Sequence, residues 1–119
     1  SAAGQNFFPG LLPAIRFASQ QGEHTICITD TITKPYIFVL FSQHLDPLDY
    51  LKHIVYANPR ANSGEVRQLD RYTFGLNYCP PDPGTIYILS GETPPITDIT
   101  YSLHDFDRFI VFIPDAAPK

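Results

Sequence analysis

The sequence predicts an α/β (α+β) domain in which a mixed sheet is covered by helices from the N-terminal half. Two observations support this class. Apolar residues recur at helical spacing near the N-terminus, whereas short β-branched and aromatic runs separated by turns fill the second half. The length of 119 residues suits one core, so we expect a single soluble domain over 1–119, with tails at 1–5 and 115–119, and a sheet of about four or five strands.

A first helix is predicted over residues 8–21. Asn6 is placed to cap it, and Pro9 falls in its first turn, where a missing N–H costs nothing. Pro13 fits only if it too lies near the start, and Gly22 supplies a stop. The apolar residues at helical spacing are Phe8, Leu11, Leu12, Ile15, Phe17 and Ala18.

The next elements alternate between strand and helix. Residues 24–29 are β-branched and predict a short strand. Residues 35–41 are continuously apolar; we favour a helix because Pro35 suits its first position, with a buried strand as the alternative. Asp46 and Pro47 resemble a cap and first turn, so a short helix is predicted over 47–55.

The second half predicts the remaining strands. Residues 66–69 and 72–74 are short strand candidates, and 85–90 is the strongest strand signal of the chain. The Pro-rich run from Cys79 to Gly84 is a turn cluster. Residues 99–104 alternate and 108–113 return as an apolar run, which predicts a C-terminal hairpin.

Charge and hydropathy exclude two classes of partner for these residues. The net charge is −4, and the densest cationic stretch, Arg60, Arg67 and Arg71, is interrupted by Glu65 and Asp70. Nucleic-acid binding needs clustered cations to neutralise phosphates, so we expect none. No run reaches the roughly 18 apolar residues of a membrane span. The chain begins with Ser1 and not Met, and we expect it to be a fragment or a processed chain.

The two cysteines permit one disulfide, but the sequence leaves it open whether they bridge. Cys27 lies in a strand-like run and Cys79 precedes two prolines. Their spacing is not that of a redox pair, and two cysteines alone do not make a zinc site. The four histidines, His24, His44, His53 and His104, show no metal-binding spacing. We therefore expect no metal and no cofactor.

Asp30 is the most site-like carboxylate, because ligands of open α/β folds bind beyond the carboxyl ends of strands. We nevertheless favour a turn-forming role, in which its side chain accepts from the nearby backbone. Several aromatic residues could stack on a sugar, although most of them should fill the core. They are Phe7, Phe8, Tyr36, Tyr50, Tyr56, Tyr72, Tyr78 and Tyr101. Asp30, Tyr36 and Tyr50 are the candidate ligand or acceptor surface, and no catalytic residue is predicted.

Three segments carry a resemblance to a known family. The segments are Lys34-Pro35-Tyr36-Ile37-Phe38-Val39-Leu40-Phe41, Asp46-Pro47 followed by Tyr50, and Arg71-Tyr72-Thr73-Phe74-Gly75. With the preceding helix and strand they resemble the C-terminal extracytoplasmic domain of bacterial membrane glycosyltransferases of the dolichyl-phosphate-mannose-protein mannosyltransferase-like group, which includes aminoarabinose transferases. The resemblance covers about Leu11 to Gly75.

The resemblance implies a non-catalytic role outside the cytoplasm. In that family the catalytic carboxylate and lipid-sugar contacts lie in the membrane part, so this domain alone is expected to be inactive. It would be tethered to its own transmembrane domain, which uses a polyprenyl-phosphate-linked sugar. It would stabilise that domain or help to dock an acceptor protein or lipid.

Two other functions stay open. The first is a stand-alone extracytoplasmic module that binds a peptide or glycan. The second, ranked last, is a small hydrolase using Asp30, His44 or His104, for which no nucleophile and base pair is visible.

Overall fold

A computed structural model describes residues 8–32, 54–56 and 66–115, with the backbone alone for 54–56. One α-helix and seven strands lie in these ranges, together with a short 3₁₀ helix at Leu76–Tyr78. They are α1 (Leu11–Ser19), β1 (Ile26–Ile28), β2 (Ile54–Tyr56), β3 (Val66–Leu69), β4 (Tyr72–Phe74), β5 (Ile86–Leu89), β6 (Tyr101–Phe106) and β7 (Phe109–Pro114).

The strands form one mixed sheet in the order β2-β3-β4-β1-β5-β7-β6. Strand β1 is central and pairs in parallel with β4 on one side and β5 on the other. The remaining neighbours are antiparallel. The predicted class, a mixed sheet packed by helices from the N-terminal half, is confirmed. The described residues contain one such helix, and they form seven strands instead of four or five.

Helix α1 buries one face against the sheet, and Arg71 binds backbone carbonyls at its C-terminal end. Its inward residues recur at positions 11, 14, 15 and 18, all fully buried, which is the helical spacing that the sequence shows. Pro13 lies in the first turn, where it removes no helical hydrogen bond. At the other end Arg71 Nη2 donates to the Ser19 carbonyl at 2.6 Å and Nη1 donates to the Gly22 carbonyl.

The start of α1 differs from the prediction. The helix begins at Leu11, and Gly10 is its N-cap with φ of 90°. A Cβ at Gly10 would overlap the carbonyl of Phe106, next to the β6–β7 turn. The chain therefore enters the helix by a left-handed glycine packed on the hairpin, a position that side chains rarely adopt. Asn6, the predicted cap, lies outside the described residues.

The sheet has an apolar core on each face. On the face that α1 covers, the half-buried residues Phe8, Phe17, Phe106 and Ile113 pack at the margin of the core. The buried sheet residues of this core are Ile26, Ile28, Leu69, Tyr72, Phe74, Ile86, Ile88, Phe109 and Val111. The opposite face buries Cys27, Cys79, Tyr87, Leu89 and Phe112. Every residue of strands β1 and β5 is buried. Both strands therefore appear in the sequence as continuous apolar runs, without the alternation of apolar and polar residues that a half-buried strand shows.

Two hairpins share the same type of connection. Asp70 and Arg71 join β3 to β4, and Asp107 and Arg108 join β6 to β7, with φ of 56° at Asp70 and 61° at Asp107. Aspartate tolerates the left-handed region that such two-residue loops need. The C-terminal hairpin is confirmed, although its turn is two residues long and lies later than predicted.

The structure tests only part of the two helices predicted over residues 35–41 and 47–55. The helix over 47–55 is wrong at its end, because Ile54–Tyr56 form strand β2, which pairs antiparallel with β3. The short apolar run suits a strand as well as a helix, and its pairing with β3 decides the outcome. The rest of that helix and the predicted helix over 35–41 lie outside the described residues.

Candidate functional site

Three parallel strands end at the same edge of the sheet, and the chain changes direction there. From β1 the chain forms the strands on one side and later crosses to β5 on the other. The first residue beyond β1, Thr29, donates its N–H to the Ile88 carbonyl at 2.8 Å, and Gly75, beyond β4, donates to Ile28 at 2.7 Å. Such a reversal point is where open α/β sheets leave a crevice, and Asp30 lies at it.

The turn after β1 is formed by Thr29 and not by Asp30. The buried Thr29 hydroxyl accepts the N–H of Thr31 at 3.2 Å and lies 3.0 Å from the Thr31 hydroxyl. This is the local side-chain turn that the sequence assigns to Asp30, so that prediction is wrong. The Asp30 side chain is instead 41% exposed and free of the turn.

Arg67 binds the Asp30 carboxylate. Its Nη1 lies 3.1 Å from Asp30 Oδ2 and 3.3 Å from the Phe74 carbonyl oxygen. Strand β3 runs antiparallel to β4, which places Arg67 beside Phe74 at the same edge as Asp30. The Arg67 side chain is only 16% exposed, so this charge-assisted hydrogen bond is better shielded from water than a surface pair.

Tyr78 completes the cluster from the segment after β4. The Arg67 guanidinium carbon lies 3.9 Å from the centre of the Tyr78 ring, within the range of a cation–π interaction. Tyr78 is 51% exposed. We call Asp30, Arg67 and Tyr78 the edge cluster. It combines an accessible carboxylate, a mostly buried cation and an accessible aromatic ring within one contact chain.

Gly75 allows the edge cluster to close. Its φ is 103°, and a Cβ at this position would lie 2.7 Å from Asp30 Oδ2 and 2.9 Å from Tyr78 Cδ2. Both distances are shorter than real Cβ contacts, so both side chains would have to move. Glycine is required here for the close approach as well as for the backbone angle.

A disulfide anchors the segment that carries Tyr78. Cys79, the next residue, bridges to Cys27 in the middle of β1, with a Cα–Cα distance of 6.1 Å. Both cysteines are buried on the face opposite α1. The question left open by the sequence is therefore answered: the two cysteines are joined, and the bridge ties the end of the 3₁₀ helix to the central strand.

Two of the four histidines, His24 and His104, lie among the described residues. His24 Nδ1 donates to the Gly84 carbonyl at 2.6 Å, and the His104 ring packs on Phe17, 4.6 Å between centroids. Neither of these two contacts joins a histidine to a nucleophilic side chain. Within residues 8–32, 54–56 and 66–115, no three His, Cys, Asp or Glu side chains are grouped to hold a metal ion.

Of the predicted surface residues, the structure describes only Asp30. Tyr36 and Tyr50, like His44 and His53, lie outside the described residues. Sequence reasoning missed Arg67 as a site residue, and it named Tyr78 only as one of several aromatic residues that could stack on a sugar. The signal for Arg67 is a charged residue on the buried side of an alternating strand, two positions before the fully buried Leu69. For Tyr78 the sequence carries no local signal.

Comparisons with protein families, with curated proteins and with solved structures find no match to this chain. No helix in the described part of the chain is both long and apolar enough to cross a membrane.

Proposed function

We propose that this chain is the non-catalytic extracytoplasmic domain of an integral-membrane glycosyltransferase that uses a polyprenyl-phosphate-linked sugar. The observation that supports an extracytoplasmic place is the buried bridge between Cys27 and Cys79. Structural disulfides persist in the periplasm and outside the cell, whereas cytosolic thiols are kept reduced. The link to a membrane enzyme rests on the resemblance of the Pro35 to Tyr50 region.

The edge cluster supports a role in docking the acceptor. An exposed carboxylate accepts hydrogen bonds from hydroxyl groups, and an exposed aromatic ring covers the apolar face of a sugar or an aliphatic chain. Asp30 and Tyr78 present both groups side by side, held by Arg67. The resemblance places catalysis in the membrane part of such enzymes, so the isolated domain is expected to lack transferase activity.

The alternative is a stand-alone extracytoplasmic module that binds a glycan or peptide. One observation favours it: all three side chains of the edge cluster come from this chain, so the cluster needs no second domain to form.

The compartment is tested by the redox state of the cysteines in the native protein. Cells are lysed in acid, free thiols are alkylated under denaturing conditions, and the protein mass is measured before and after reduction. We expect no alkylation before reduction and two alkyl groups after it. Two alkyl groups without reduction would overturn the extracytoplasmic assignment.

The docking role is tested by kinetics in the full-length protein. Asp30→Asn and Tyr78→Ala should raise KM for the acceptor about tenfold, equivalent to roughly 1.4 kcal/mol, and leave kcat unchanged. Glu23→Gln is the matched control, because Glu23 is an exposed carboxylate in the loop before β1. A fall in kcat with unchanged KM would contradict docking. Binding of glycans by the isolated chain, with a gene that has no membrane spans, would favour the stand-alone module.

A further inference from the structure

Strand β6 forms one edge of the sheet, and in the described part of the chain it pairs with β7 alone. Its six residues pair without a shift, from Tyr101 opposite Pro114 to Phe106 opposite Phe109. This edge lies at the opposite end of the strand order from β2 and is separated from the edge cluster by β5 and β7.

The hairpin register shows which backbone groups of β6 point outward. A two-residue loop makes Phe106 and Phe109 a hydrogen-bonded pair, and such pairs then alternate along an antiparallel ladder. The alternation continues to Thr100, whose carbonyl accepts the N–H of Asp115 at 3.0 Å. The N–H and C=O groups of Tyr101, Leu103 and Asp105 therefore point away from β7.

This edge lacks three of the usual protections against pairing, and Asp105 is the one acidic side chain within the strand. Natural edge strands are blunted by proline, lysine or a bulge, and Tyr101–Phe106 contains none of the three. Leu103 is 57% exposed and is one of the two large apolar side chains exposed among the described residues. Its neighbours on the same side of the strand are Tyr101 and Asp105.

The negative charge around β6 favours a cationic strand as its partner. One exposed aspartate lies in the strand and three flank it, while Arg108 is the single arginine or lysine between residues 98 and 115. The aspartates are Asp105 in the strand and Asp98, Asp107 and Asp115 beside it. Antiparallel pairing of two β6 strands would bring two such acidic sets together, which is unfavourable. A cationic strand would instead place opposite charges across the pair.

We propose that β6 binds an extended basic peptide as an eighth strand of the sheet. Backbone hydrogen bonds to Tyr101, Leu103 and Asp105 supply the affinity. An apolar side chain of the peptide packs beside Leu103, and a lysine or arginine two residues away pairs with Asp105. This interaction does not depend on the glycosyltransferase assignment, because it uses only the hairpin of this chain.

The probe is the blocked peptide Thr-Lys-Thr-Val-Thr-Lys-Thr, which places lysine, valine and lysine on one side in either strand direction. It is titrated into the oxidised 119-residue chain and followed by amide chemical shifts and hydrogen exchange. We expect slower exchange at the amides of Tyr101, Leu103 and Asp105, and little change at Ser102 and His104. Glutamate in place of lysine, or methylation of alternate backbone nitrogens, should abolish binding.

Two variants test the strand itself. Leu103→Lys should weaken binding at least tenfold through charge repulsion, and Leu103→Pro should abolish it by removing an outward N–H without breaking the hairpin ladder. Gln68→Lys is the matched control, because Gln68 is exposed on a strand that is paired on both sides. It should bind the peptide like the parent chain.

Three results would overturn the proposal. The first is no shift or protection at millimolar peptide, and the second is equal binding by the glutamate peptide or by Leu103→Pro. The third is a concentration-dependent dimer in sedimentation that Leu103→Lys dissociates. That result would identify a second copy of the chain, and not a basic peptide, as the partner of β6.

Discussion

Removal of the Cys27–Cys79 bridge should cost this domain a large part of its stability. The bridge is removed in two ways. One is reduction of the parent chain, with both thiols left unmodified, and the other is the double variant Cys27→Ala with Cys79→Ala. Reduction keeps the volume of both side chains in the core, whereas alanine also leaves a small cavity. The two forms together separate the effect of the cross-link from the effect of packing.

The magnitude follows from the length of chain that the bridge closes. The cysteines are 52 residues apart, and closing such a loop removes entropy from the unfolded chain worth about 4 kcal/mol at 25 °C. For 119 residues, with an unfolding entropy of roughly 2 cal/mol/K per residue, this corresponds to a fall in Tm of about 15 °C. Small domains have only about 5–15 kcal/mol in total, so the reduced chain is expected to be marginal.

The assay is urea denaturation followed by circular dichroism, with and without reductant. The free energy of unfolding should fall by about 4 kcal/mol, and the dependence on urea should steepen because the unfolded chain without the cross-link exposes more surface. The double alanine variant should lose about 1 kcal/mol more than the reduced chain.

A loss below about 1 kcal/mol on reduction would refute this reasoning. It would mean that the unfolded chain already holds residues 27 and 79 near each other, so that the cross-link removes little entropy. An unchanged urea dependence together with a large loss would place the effect in the folded state.

Three further outcomes are expected from named contacts. Gly10→Ala should lower the free energy of unfolding by more than about 2 kcal/mol in urea melts, because the added Cβ overlaps a backbone carbonyl at a positive φ. Arg71→Lys should cost about 1–3 kcal/mol through lost carbonyl contacts at the end of α1, against no effect of the exposed control Arg16→Lys. Hydrogen bonds from Ser102 and Thr100 lower the pKa of Asp115 below its ordinary value of 3.8. The contribution of this carboxylate to stability is therefore complete above that pH and is lost as the pH falls through the folded-state pKa. Carbon NMR titration should show that Ser102→Ala raises the pKa of Asp115.

Local elements of the fold were predictable because their signals are local. Helix α1 follows from apolar spacing, and β5 and the C-terminal hairpin follow from runs bounded by turn residues. Strand β2 was missed because three apolar residues fit either period until a partner strand is known. The order of strands around β1 was not predictable, since its neighbours β4 and β5 come from distant parts of the chain.

The candidate site also contains residues that local rules predict and residues that they do not. Asp30 could be located from its position directly after a strand, which is a local rule. Arg67 and Tyr78 reach it only because β3 and β4 lie beside β1 in the sheet, and no spacing in the sequence encodes that neighbourhood. The role of Thr29 was also hidden, since both threonine and aspartate form such turns.

The central position of β1 has a consequence for how the chain matures. Ile26 pairs with Tyr72 on one side and Ile86 on the other, so the strand that is synthesised before the other described strands is among the last to find its partners. Non-local pairings of this kind slow folding and leave apolar segments exposed in the meantime. A fragment that ends before β5 would lack one neighbour of its central strand, and we expect such fragments to aggregate and not to fold as a smaller sheet.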